Sequence, residues 1–122
     1  MEELQRVSIK TAKYARSKKF YNDVPCNHAL ILSNSGKEVE MYYDGMIHKS
    51  FEFICWIPYQ AVLQKWLRDK HNLNAIVSPS IIYEGAYDWE TIIGNKMIYG
   101  STNFKSYEEA MEEALLGCLD QI

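Results

Sequence analysis

The sequence has no long apolar run, no excess of positive charge and no paired metal-binding spacing, and each absence removes a class of protein. No segment of the 122 residues reaches the length needed to cross a bilayer as a helix. The opening, MEELQRVSIK, begins acidic and without an apolar stretch, so a secretory signal is not expected. A formal net charge of −3 argues against a dedicated nucleic-acid binder, which needs a basic balance or a strong basic patch. Glycine-rich phosphate loops, G-x-S-x-G elbows and H-E-x-x-H helices are all missing. The three cysteines, Cys26, Cys55 and Cys118, are odd in number and scattered, which does not suit a disulfide framework. The expectation is therefore a reduced, cytoplasmic protein with no membrane segment.

What is present suits one domain with a real core. The length is too short for two comfortable domains, and the apolar and charged fractions are those of an ordinary globular chain. The strongest element signal is PYQAVLQKWLRDKHN, Pro58 to Asn72. Tyr59, Val62, Leu63, Trp66 and Leu67 recur at helical spacing, with Gln60, Gln64, Lys65, Arg68 and Asp69 opposite. Pro58 suits a first helical position, Lys70 and His71 complement the dipole of the last turn, and Asn72 can take a left-handed stop.

Two further helices flank this one. Ser8 reads as the cap of a short opening helix carrying Ile9, Ala12 and Ala15 on one side, with Val7 as a staple and residues 1–7 as a loose lead-in. Lys18 and Lys19 close it favourably. Ser106-Tyr107-Glu108-Glu109 is a capping box that opens a helix with the stripe Tyr107, Ala110, Met111, Ala114, Leu115, Cys118, Leu119 and Ile122. Within that stripe Gly117 predicts a close approach to another element, because glycine inside a helix costs about 1 kcal/mol against alanine.

Strands fill the intervals. Cys26 to Ser33 and Lys37 to Tyr43 read as a hairpin around Asn34-Ser35-Gly36, and Phe51 to Trp56 as a third strand entered through Met46 to His48. Ala75 to Tyr83 reads as an edge or bulged strand because Pro79 cannot donate to a ladder. Tyr87 to Ile93 and Lys96 to Gly100 complete the set, followed by a loop at residues 100–103. The reading is an α+β fold of order α-β-β-β-α-β-β-β-α, three helices packed on antiparallel sheet.

Candidate chemistry is thin. Arg6, Lys10 and Lys13 share helical spacing and could form an anion- or nucleic-acid-binding face, although such a stripe is more often simply solvated. Cys26, His28, His48 and Cys55 are the only grouping that suggests a metal or a cysteine nucleophile, and it lacks zinc-type spacing. No metal or cofactor is expected. Residues 58–121 follow the helix–strand–strand–strand–helix order of the double-stranded-RNA-binding domain. Where that family opens its last helix with lysines, this chain places Glu108 and Glu109, which would repel phosphate.

Three stretches carry a family resemblance. Val62-Leu63-Gln64-Lys65-Trp66-Leu67-Arg68-Asp69-Lys70-His71-Asn72, the ending FKSYEEAMEEALLGCL (Phe104 to Leu119) and the opening Ser8 to Lys13 together resemble an uncharacterised family of small proteins encoded by bacteriophages and prophage regions of gut bacteria. The resemblance spans most of the chain in the same order and implies a bacterial or phage setting, with no catalytic residues to carry over. The expected function is a non-enzymatic interaction or accessory protein with a protein partner or self-association. A nucleic-acid-associated protein using Arg6, Lys10 and Lys13 and a small Cys/His enzyme are the alternatives.

Overall fold

Two separate three-stranded sheets, each antiparallel throughout, share one hydrophobic core with three helices. The computed structural model describes residues 5–20, 28–43 and 51–122. Over these the order is α1 (Ile9–Ser17), β1 (His28–Ser33), β2 (Glu38–Tyr42), β3 (Phe51–Trp56), α2 (Gln60–His71), β4 (Leu73–Pro79), β5 (Tyr87–Ile93), β6 (Lys96–Phe104) and α3 (Tyr107–Leu119). This is the expected α+β succession. The first sheet runs β2-β1-β3 and the second β4-β5-β6. The expected approach through Met46 to His48 lies outside the described residues, as does the start of the first strand at Cys26.

The amphipathic stripes meet as their spacing requires. Leu63, Trp66 and Leu67 of α2 and Met111, Leu115 and Leu119 of α3 belong to one buried cluster, joined by Ala12 and Ala15 of α1, Leu30 and Cys55 of the first sheet, and Leu73 and Ala75 of the second. Trp66 is only 4% exposed. The Phe20 ring meets it edge-on at 5.2 Å and the His71 ring at 4.8 Å. Gly117 gives the close approach its position implies: a Cβ there would stand 2.7 Å from Thr91 Oγ1 and 3.2 Å from Trp89 Cζ3. That proximity lets the buried Thr91 hydroxyl donate to the Ala114 carbonyl of α3 at 3.2 Å. Trp89 is held by shape, since its buried Nε1 has no hydrogen-bond partner among the described residues.

Several boundaries differ from the sequence reading, each for a tertiary reason. The central helix begins at Gln60, with Tyr59 as its cap residue, so Pro58 is not its first turn. Residues 5–7 are not a loose lead-in. The Val7 amide donates to the Pro58 carbonyl at 2.9 Å and the Gln60 amide to the Gln5 carbonyl at 2.7 Å, so the N-terminal segment lies antiparallel against 58–60. Gln60 is buried, not solvated, and its amide donates to the Glu108 carbonyl at 3.0 Å. Gln64 is half-buried and donates to the Ala75 carbonyl of β4 at 2.7 Å. In α1 the buried residues are Thr11, Ala12 and Ala15, whereas Ile9 is exposed. β4 stops at Pro79, where the strand can no longer donate, and β6 continues through residues 100–103 to Phe104.

One carboxylate ties the three helices together. Glu112 of α3 accepts from the Ser8 amide at 3.0 Å, the Thr11 hydroxyl at 2.5 Å and the Gln60 amide nitrogen at 3.4 Å. It therefore sits at the N-terminus of α1, where negative charge complements the helix dipole.

Two substitutions test this packing. Trp66→Ala should destabilise by about 3–5 kcal/mol, the range for emptying a core aromatic site; a urea melt that hardly moves would place Trp66 outside the core. Glu112→Ala should cost about 1–3 kcal/mol by leaving the Thr11 hydroxyl and the Ser8 amide without their acceptor. A loss within about 0.5 kcal/mol, typical of bare surface positions, would show that the carboxylate does not join the helices.

Candidate functional site

Arg6, Lys10 and Lys13 do not form one basic face. Arg6 precedes α1 and is bridged to Tyr59. Its guanidinium donates to the Ile57 carbonyl at 2.8 Å and lies 4.1 Å from the centre of the Tyr59 ring, a cation–π contact. Lys13 reaches the first sheet and pairs with Glu38, Nζ to Oε1 at 2.7 Å and to Oε2 at 3.0 Å. Lys10 stays exposed on the first turn of α1. Helical spacing brought these three together on paper, and it could not show that two of them are taken by residues far away in sequence.

The cysteine and histidine candidates also separate. Cys26 and His48 lie outside the described residues. His28, at the start of β1, is held below the ordinary histidine range by burial and by the Arg6 charge, with Glu40 acting against both from 4.0 Å. Cys55 and Cys118 are buried thiols. Burial pushes the Cys118 thiol up to about 11, and a contact with the Thr91 hydroxyl offsets this only in part. A thiol so placed is protonated at neutral pH and is a poor nucleophile. Among the described residues no group of three His, Cys, Asp or Glu side chains is placed to hold a metal.

The feature that does stand out is apolar. Between β4 and β5 the chain forms a loop, Ser80 to Ala86, fixed by its own hydrogen bonds. The Ser80 hydroxyl accepts from the amides of Ile82 at 3.2 Å and Tyr83 at 3.0 Å. The Ser80 amide donates to the Ala86 carbonyl at 2.9 Å, and the Ala86 amide to the Tyr83 carbonyl at 3.1 Å. Gly85 supplies the left-handed turn this closure needs, at φ +76°. The loop holds Ile81 97% exposed and Ile82 69% exposed, with Tyr83 beside them. Ile76, Met97 and Tyr99 of the same sheet are exposed too.

Sequence reading missed this site by running the strand on to Tyr83. The available signal was Pro79 followed by Ser80, a strand stop next to a residue whose hydroxyl closes local turns.

No family model, curated protein or solved structure matches the chain. Among the described residues no helix is long and apolar enough to cross a membrane.

The thiol assignments predict a labelling order. Iodoacetamide at pH 8, read site by site by mass spectrometry, should modify Cys118 only at the rate of unfolding and quickly once urea is added. Rapid native-state modification of Cys118 would contradict its burial and its raised pKa.

Proposed function

We propose that the protein is a non-enzymatic interaction module that self-associates through the β4–β5 loop. The observation that carries this reading is the exposure of Ile81 and Ile82 on a loop whose backbone is already fixed. Isolated apolar residues on a surface are ordinary, but two adjacent isoleucines on a loop closed by internal hydrogen bonds bind with little backbone ordering cost. The loop contains one charged residue, Glu84, so two copies can meet there with little repulsion.

The magnitudes favour a weak, concentration-dependent dimer. Fully burying one isoleucine contributes about 1.5–3 kcal/mol, so four across a two-fold contact supply about 6–12 kcal/mol. Association costs of the order of 4–15 kcal/mol consume most of that. An accessory role in a phage or mobile element rests on the sequence resemblance alone, as does a bacterial or phage cytoplasm as its setting.

Sedimentation velocity across a concentration series tests the reading. Wild-type protein should move from monomer to dimer as concentration rises, and Ile81→Asp with Ile82→Asp should remain monomeric with an unchanged melting temperature. A wild-type chain that stays monomeric into the millimolar range, or a double variant that dimerises equally well, would sink it.

A further inference from the structure

α1 and α2 end beside one another, and a cleft of about 470 Å³ opens between the two helix ends. Ser17, Lys18 and Lys19 line it from the α1 side and Trp66, Lys70 and His71 from α2, with Ile122 completing the wall. This volume falls within the range of small-molecule sites. Sequence reading assigned both basic pairs to the same local task, complementing the dipole of their own helix, and had no means of seeing that the two ends face a common space.

The lysines that line the cleft are not all committed to that task. Each helix C-terminus carries about −0.5 of a charge. Lys18 is committed locally, donating to the Ile122 carbonyl at 2.8 Å and lying 5.4 Å from the Tyr14 ring centre. Lys19 and Lys70 remain, with no ion pair or side-chain hydrogen bond among the described residues. Neither neighbouring acid lines the cleft: Asp69 pairs with Lys65, and Asp120 accepts from the Tyr14 hydroxyl. Lys19 and Lys70 thus bring one uncommitted ammonium group from each helix end to the mouth of the cleft.

The rest of the lining is specific. Lys19 is placed by a left-handed backbone at φ +73°, unusual for a residue with a Cβ. His71 is held edge-on against Trp66. Trp66 and Ile122 supply its apolar lining.

We propose that this cleft binds a small organic phosphate, with the phosphate held between Lys19 and Lys70 and the apolar portion against Trp66 and Ile122. A phosphate monoester carries about −1.5 to −2 at neutral pH, which suits two ammonium groups from opposite sides better than a carboxylate does. Lysine is a compact, strongly hydrated point charge, so binding at these exposed positions weakens as salt rises.

Titration followed by NMR tests the proposal. At low salt, phenyl phosphate should shift the backbone amides of Lys19 and Lys70 and the indole signal of Trp66 along one saturable curve. Inorganic phosphate, without the apolar portion, and phenylacetate, with a single charge, should bind more weakly. Lys19→Asn, which keeps a residue tolerant of left-handed backbone, combined with Lys70→Gln should weaken phenyl phosphate by about tenfold or more, the scale of a lost charge-assisted hydrogen bond. Lys10→Gln, at the other end of α1, should leave it unchanged. A thermal melt of the double variant matching wild type assigns the loss to the site. Absence of a saturable shift, equal binding by the double variant, or a single-stranded oligonucleotide that binds there without competition from phenyl phosphate would each overturn the proposal.

Discussion

Everything in this fold depends on bringing three helices from distant parts of the chain onto one core, and the Glu112 carboxylate is where they are joined. Its oxygens take donors from Ser8 and Thr11 at the start of α1 and from Gln60 at the start of α2, while its backbone belongs to α3. Thr11 and Gln60 are both buried, and a buried polar group without a partner costs about 1–3 kcal/mol. The carboxylate thus turns two liabilities into a fixed geometry. The apolar stripes alone would let the helices slide along one another; three directional contacts at one end do not. The N-terminal segment adds a second lock through its antiparallel pairing with residues 58–60, which Arg6 reinforces from beside Tyr59.

Local chemistry was legible in the sequence wherever the cause of a structure lay within a few residues of it. Ser106 caps α3, its hydroxyl accepting from the Glu109 amide at 3.1 Å, and Ser8 caps α1 in the same way. Asn72 ends α2 in the left-handed conformation at φ 54°. Leu63, Trp66 and Leu67 of α2 and Ala110, Met111, Ala114, Leu115, Cys118 and Leu119 of α3 are buried, whereas Tyr107 and Ile122 at the ends of the α3 stripe are exposed. Gly117 marks a close approach of α3 to β5. What failed were the positions decided by partners far away. Pro58 reads as a helix start until residues 5–7 pair with it. Gln60 and Gln64 look like solvated face until the Glu108 carbonyl and the edge of β4 claim their amides. Glu112 belongs to α3, yet its carboxylate serves the N-terminus of α1.

The same division explains the candidate sites. Arg6, Lys10 and Lys13 formed a pattern in sequence that the fold dissolves, because the Ile57 carbonyl and Glu38 take two of the three. Lys19 and Lys70, fifty-one positions apart, formed no pattern and share a cleft. The apolar loop sits between these cases. Its isoleucines were visible, but β-propensity drew them into a strand, and only the stop at Pro79 and the closure by Ser80 turn them outward.

The second sheet shows why association would use that loop and not strand addition. β6 is a nine-residue edge with exposed Met97 and Tyr99, the kind of edge that invites another chain. Its pairing with β5 is broken twice. Thr91 pairs with Tyr99 and the next residue, Ile92, with Met97, which leaves Ile98 as an extra residue; a second shift falls between Tyr87 and Trp89. Asn103, near that second shift, has a positive φ of 69°. Bulges twist an edge and interrupt the row of groups an added strand would need. On the opposite edge, the Gln64 amide occupies the Ala75 carbonyl of β4. Both edges of the sheet are thus interrupted in backbone terms, while Ile81 is almost fully exposed and Ile82 largely so. A contact formed there would rest on apolar side-chain burial and leave the β-ladder of each copy intact.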